Sequence, residues 1–415
     1  LAPAPAGPHG RRGGTAVSAA TMAVTRAGLG AKQIGWAGVA LAAIAWFITL
    51  PPLLVRTPIP SILLAAAAAG AGSLAVQGGQ RKLGYGAIVA AVLAVIAAVV
   101  STKSGEANLE RVFVWSALIA AMLRFATPLV FAAMGGILSE RSGVINIGLE
   151  GMMLMGAFFG IFVADLAGSW FVGALAGMAA GGVMALVHAF FSIAFRADQV
   201  VSGFAVNFLA LGVTGYVFIA HYGDQGTPGD VPRVPELTLP VIEDIDFLGD
   251  AIGSASLLTW VALLLVPLLA VFLFRSPNGL RLRSVGEKPR AADSVGVPVT
   301  RTRYLAVTAS GVLAGLGGVF LSVGLVGSFN ENMTDGRGFI ALAAVIFGSW
   351  RPGGALAAAL LFGFSSAVAQ RLPAFSESLA VLFQALPYVL VLIVVAGLIG
   401  RSRPPAALGL PYVKE

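Results

Sequence analysis

Cysteine is absent from the 415 residues, which removes disulfides, thiolate nucleophiles and cysteine-held metals together. Histidine is almost absent. His9, His188 and His221 are the only three, too few and too scattered for a histidine metal cluster. Charge is scarce as well: Asp, Glu, Lys and Arg make up 11% of the chain, where soluble domains carry about a quarter. What fills the space is apolar sequence. Residues 254–274 (SASLLTWVALLLVPLLAVFLF), 304–328 and 378–400 contain no charge at all, and each exceeds the roughly 18 residues that a membrane-crossing helix needs. A soluble core has no room for so many uncharged helices, so the chain reads as all-α, a polytopic bundle of transmembrane helices.

Hydrophobic segments fall at 36–55, 61–77, 84–101, 112–138, 145–165, 170–194, 199–221, 254–274, 304–328, 338–350, 353–371 and 377–400. The tenth is too short to cross alone. It abuts Arg351, Pro352 and Gly353, which suggests a half-helix or broken helix of the kind tolerated where protein buries it. The net charge of +7 sits in short loops, as the positive-inside rule requires, and nucleic acid is not an expected partner. Residues 275–303 carry Arg275, Arg281, Arg283, Lys288, Arg290, Arg301 and Arg303 against Glu287 and Asp293. Residues 222–253 carry Asp224, Asp230, Glu236, Glu243, Asp244, Asp246 and Asp250 against Arg233. One span separates the two, so the basic loop is expected inside and the acidic one outside. Twelve crossings then place both termini in the cytoplasm of a cell-membrane protein embedded in the lipid bilayer. The expected layout is a disordered basic tail over 1–33, N-terminal helices over 34–110, a core over 111–400 and a cytoplasmic tail over 401–415. Arg11 and Arg12 within a Pro/Ala/Gly-rich stretch would also suit a twin-arginine signal or transit peptide.

Ser169-Trp170 precedes Gly173-Ala174-Leu175-Ala176, and Ser349-Trp350 precedes Gly354-Ala355-Leu356-Ala357. The two copies fall on opposite sides of the expected topology, as an inverted repeat in a transporter would. Moving a solute needs an energy source, and the chain shows none. None of its lysines (Lys32, Lys82, Lys103, Lys288, Lys414) follows a glycine, which excludes a phosphate-cradling P-loop. Gradient-driven carriers place ionisable groups at mid-membrane. Here Arg124, Glu150 and His188 are the few such groups, and each suits an interface or a buried neighbour better than a proton relay. That scarcity favours a partner-driven machine over a carrier acting alone.

The most informative stretch is 131–160, FAAMGGILSERSGVINIGLEGMMLMGAFFG. Ser139, Glu140, Arg141, Ser142, Asn146 and Glu150 interrupt apolar sequence there, and buried polar groups need partners. One reading is a capped turn, with Ser142 or Asn146 capping the next helix and Glu150 near its positive end. The other is a hydrogen-bonded joint in a mobile core. Asn207 lies mid-span in 199–221. Together with Glu140, Asn146 and Glu150 it forms the set of polar candidates for a solute pathway, or for helix-to-helix hydrogen bonding. Gly173, Gly177 and Gly181 form a flat face for close helix packing.

The stretch Gly135–Gly156 resembles the signature of permease subunits of ATP-binding-cassette importers for nucleosides and simple sugars, closest to the nucleoside branch. Arg196–Leu211 (RADQVVSGFAVNFLAL), Val285–Val297 with Ser310–Gly318 (SGVLAGLGG) and Gly338–Gly348 (GFIALAAVIFG) match in order. The resemblance covers roughly 115–400 and implies a translocation subunit, not an enzyme. It implies no cofactor on this chain, with ATP and Mg bound by a partner ATPase that carries two nucleotide-binding domains. A second, similar permease and an external solute-binding lipoprotein complete the implied assembly. The resemblance also makes 275–303 the ATPase-docking loop, with the pattern on Gly286, Ala291, Ala292 and Gly296. Small Ala291 and Ala292 would nestle in a cleft, with Arg283, Lys288 and Arg290 flanking and Glu287 between them. The acidic loop would meet the binding protein. Residue chemistry does not separate nucleoside from ribose or other simple sugars.

Overall fold

The computed structural model describes residues 30–50, 57–103, 114–223, 226–371 and 403–413, together with Leu53 and Val55. The basic tail expected over 1–33 falls almost wholly outside the described residues, as does the twelfth apolar segment, 377–400. Nine helices among the described residues are long and apolar enough to cross a membrane. The chain divides into two compact units.

The first unit holds α1 (Ala31–Phe47), α2 (Ile59–Gln77) and α3 (Arg81–Lys103). The centre of its interface is alanine (Ala42, Ala45, Ala65, Ala68, Ala91 and Ala94), joined by buried Gly35, Gly38 and Gly72 and flanked by half-buried Leu41, Trp46, Leu64 and Val95. Lipid offers as good an apolar environment as leucine does, so close backbone approach, not apolar burial, holds such helices together.

The second unit holds the remaining elements. Helix α4 spans Trp115–Arg141, α5 Leu149–Ala167, α6 Trp170–Ala189 and α7 Gln199–Tyr222. Helix α6 continues into a wide turn, Phe190–Ala194, and Asp198 caps α7 by accepting the Val200 and Val201 amides at 2.8 and 3.0 Å. The acidic loop is not featureless. Its strands β1 (Glu236–Thr238) and β2 (Ser254–Ser256) pair antiparallel around the short α8 (Pro240–Glu243). The apolar run expected from 254 therefore begins its helix, α9, at Leu257 and ends it at Arg275. Ser276 and Pro277 open α10 (Pro277–Glu287), followed by α11 (Pro289–Ser294) and α12 (Val299–Val319). A wide turn over Phe320–Val326 extends α12. The unit ends with α13 (Arg337–Phe347), α14 (Pro352–Arg371) and the non-helical segment 403–413.

Helix α12 is the central post and packs against α4, α5 and α6. The glycine face of α6 makes this possible: Gly177 and Gly181 lie against α5 and α12, with no room at either for a Cβ. Helix α13, at 11 residues, is too short to cross, as its sequence suggested. The chain leaves the acidic end at Gly327, beside Arg233, and Phe329 N–H donates to the Thr227 hydroxyl at 3.1 Å. It then runs without helix to Arg337, and α13 carries it to Arg351 at the basic end. Trp170 and Trp350 do stand at opposite ends. Their settings differ, because Trp350 has a left-handed backbone (φ 54°) and is buried, whereas Trp170 opens a regular helix.

Candidate functional site

Glu140, Arg141, Asn146 and Glu150 each have a distant partner, Ser139 and Ser142 bond within the turn itself, and together these bonds make one hub. Helix α4 ends at Arg141, and the chain passes to α5 through non-helical residues 142–148, most of them fully buried. Backbone in that state must find hydrogen bonds from elsewhere. The Ser142 hydroxyl donates to Ser139 O at 2.7 Å, and the Ser139 hydroxyl to Val144 O at 2.8 Å. Ile145 is held on both sides: its N–H donates to Gln199 Oε1 at 2.7 Å, and its carbonyl lies 2.9 Å from His188 Nε2. A carbonyl only accepts, so Nε2 carries the His188 proton, and Nδ1, 3.0 Å from Ser202 Oγ, is the acceptor.

Asn146 donates to Ser310 Oγ on α12 at 2.9 Å. Asn207 on α7 accepts the Gly151 N–H at 2.8 Å and donates to Ile147 O at 3.1 Å. The expectation that Ser142 or Asn146 caps α5 is not met. Gly148 is the N-cap residue and offers no side chain, while Ser142 turns back on α4 and Asn146 reaches α12. Asn207 does the capping from another helix.

Glu150 does not serve its own helix alone. Its Oε1 accepts Gly336 N–H at 2.8 Å and its Oε2 accepts Gly338 N–H at 2.6 Å. One carboxylate thus caps α13, where unpaired amides and the helix dipole favour negative charge. At the other end of α13, Glu140 accepts the Trp350 indole N–H, and Arg141 Nε donates to Trp350 O at 3.1 Å. The half-helix is therefore pinned at both ends by α4 and α5. Glu140, Asn146, Glu150 and Asn207 each make a hydrogen bond to another element of the chain, while the buried Asn146 Oδ1 is left without a partner among the described residues. No proton-transfer arrangement results; what the geometry can do is move several helices as one body.

The basic loop adjoins this hub. Gly286 packs so tightly on Arg141 O that a Cβ there would collide with it. Ala291 and Ala292 part company: Ala292 is buried with Val285 and Val299, while Ala291 is exposed. Arg283 folds back over the Phe274 ring, 5.2 Å from its centroid. Glu287, Lys288 and Arg290 stand exposed, and Gly296 turns the chain with φ 84°. Arg303, which the sequence groups with the loop cations, instead lies in α12 at 2% exposure. Its Nε donates to Ser142 O at 3.2 Å and its Nη1 to Leu410 O at 3.0 Å. The roles of Arg303, Ser310, Trp350 and residues 403–413 were not found by sequence reasoning. The one available signal was an arginine at the head of the uncharged run 304–328, which demands buried partners.

Residues 118–395 match the family described as the branched-chain amino acid transport system / permease component. The guanosine ABC transporter permease protein NupQ of Bacillus subtilis is 42% identical over 321 residues, covering 74% of this chain and 99% of that protein. The nucleoside ABC transporter permease protein NupC of Lactococcus lactis is 36% identical over 308 residues, covering 72% and 97%. The putative glucose ABC transporter permease protein TsgC13 of Haloferax volcanii is 38% identical over 266 residues, covering 63% and 79%. No solved structure matches the chain. The chain thus belongs to this family of permease components, multi-pass membrane subunits of transport systems.

Proposed function

We propose that the chain is a permease subunit of an ATP-driven importer that carries nucleosides across the cell membrane. The observation that carries the reading is its 42% identity to a guanosine permease along nearly the whole of that protein. The hub supports it physically. A partner-driven permease needs a rigid connection between its loops and its membrane helices, and residues 139–151 supply one. A second, similar permease completes the pathway, a reading supported by the chain's likeness to two guanosine permease proteins of one bacterium, NupQ and NupP. ATP and Mg belong to a cytoplasmic ATPase with two nucleotide-binding domains, which docks on α10 and α11. An external solute-binding lipoprotein meets the acidic loop. The basic loop and both termini lie in the cytoplasm, following the positive-inside rule.

Uptake in a strain deleted for this chain tests the substrate. Complementation should restore entry of labelled guanosine or adenosine. Restored entry of ribose or glucose alone would overturn the nucleoside reading and leave a sugar permease of the same build. Nucleoside uptake by the purified chain, reconstituted without an ATPase, would overturn the partner-driven mechanism.

A further inference from the structure

Residues 403–413 form a strap across the basic end of the second unit. Ala407 N–H donates to Gly286 O at 2.9 Å, and Ala406 N–H to Glu287 Oε2 at 3.2 Å. Gly409 N–H donates to Gly143 O at 3.1 Å. Tyr412 packs with Val297 against buried Val285, Ala292 and Val299, so the strap and the α10–α11 turn share one small apolar core. Arg303 ties both to the hub, because its guanidinium reaches Ser142 O and Leu410 O at once. A guanidinium so deeply buried is costly, and with Nη2 unpartnered Arg303 depends on the two carbonyls that Nε and Nη1 reach. The strap carbonyl is therefore part of what holds it.

Between the strap and the loop runs a groove of about 460 Å³. Lys288, Arg290 and Glu287 line one side, and Leu410 and Val413 the other. Leu410 and Val413 are 57% and 46% exposed, and Val295 nearby is 78% exposed. None of the three lies in a membrane-crossing helix, so water would meet them at this end. Apolar side chains ringed by charge in that setting mark a protein-docking surface.

We propose that residues 403–413 form the second wall of the surface that receives the ATPase, with Arg303 as the positioning residue that fixes this wall to the membrane hub. The inference rests on the importer reading above. The occupant is an ATPase surface that presents an apolar side chain for Leu410 and Val413, with acidic groups facing Lys288 and Arg290. A push on the strap reaches Ser142 and Gly143 directly, through Arg303 and Gly409, without passing through α10 or α11.

The test uses the full chain co-expressed with its ATPase and purified in mild detergent. Leu410→Asp leaves every backbone bond of the strap in place. It should lower the retained ATPase by about tenfold or more, as loss of an apolar anchor does, with no change in the thermal midpoint of the chain alone. Arg303→Gln should keep more of the ATPase than Leu410→Asp does, yet lower the solute moved per ATP hydrolysed in proteoliposomes. Should Leu410→Asp retain parental amounts of ATPase, the second wall does not exist, whatever Arg303→Gln does. Should the unmutated chain retain no ATPase at all, the importer reading fails first and this inference falls with it.

Discussion

Glu150 and Gly338, 188 residues apart, are joined by a 2.6 Å hydrogen bond from the Gly338 amide to the Glu150 carboxylate. The second carboxylate oxygen takes Gly336 N–H, so one side chain in the first turn of α5 closes the start of α13. Glu150→Ala would strand the buried Gly338 amide, at roughly 1–3 kcal/mol, and the half-buried Gly336 amide at a smaller cost. Glu150→Gln keeps one acceptor but turns an N–H₂ toward the other amide, and should fall between. Thermal unfolding in detergent should rank parent, Glu150→Gln and Glu150→Ala in that order. An alanine variant as stable as the parent would show that α13 does not depend on this cap.

The other end of α13 invites a paired experiment. Trp350→Phe keeps an aromatic ring, though a smaller one, and removes the indole N–H, leaving a buried Glu140 oxygen without its donor. The expected loss is about 1–3 kcal/mol. Glu140→Gln retains an acceptor for the indole and should cost less. If Glu140→Gln proves the more damaging, charge rather than the hydrogen bond is what matters at this joint.

These two joints show where the sequence was informative and where it stopped. Composition and run length gave the all-helical membrane class, because burying uncharged segments in lipid has no alternative solution. The brevity of 338–350 foretold a half-helix, since crossing length is a fixed physical requirement. Partners were another matter. Glu150 sat in the first turn of a helix and so suggested local capping, but nothing local to 142–151 reveals Gly338, Asn207 or Ser310. Those contacts depend on how α7, α12 and α13 converge, which periodicity does not encode. Arg303 was misplaced for a related reason: it adjoins six other loop cations in sequence, and only packing separates it from them.

Asn207 offers a way to tell a joint from a solute site. Its amide is engaged by Gly151 of α5 and by Ile147 in the turn before it, so Asn207→Ala should lower stability by about 1–3 kcal/mol. Maximal uptake should fall in step with the amount of folded protein, while the half-saturating nucleoside concentration stays put. A rise of about tenfold or more in that concentration, equivalent to about 1.4 kcal/mol of binding, would place Asn207 in the pathway instead.

Close helix contact makes glycines unequal. A Cβ on Gly318 would strike Met153 O and lie 2.6 Å from Ala157 N, both backbone atoms of α5. Gly212 on α7 has open space around the same position. Gly318→Ala should therefore cost about 1–3 kcal/mol or more through forced separation of α5 and α12. Gly212→Ala should be neutral or slightly stabilising, as alanine usually is for a helix. Equal melting temperatures for the two variants would mean that the α5–α12 seam can open without penalty.

Orientation can be read directly because the chain contains no cysteine, so a single introduced thiol reports without background. Val295 in the basic loop is 78% exposed, and Ile245 in the acidic loop is 46% exposed. One membrane-crossing helix, α9, stands between the two loops, so they must lie on opposite sides. The cations Arg281, Lys288 and Arg290 surround the first site, and Glu243, Asp244 and Asp246 the second. By the positive-inside rule the cationic loop is expected in the cytoplasm, because orientation follows the lysine and arginine of short loops. Ile245→Cys should react with a membrane-impermeant maleimide in intact cells, and Val295→Cys only after permeabilisation. The reverse pattern would invert every assignment of inside and outside made for this chain. It would also remove the docking surface from the side where ATP is found.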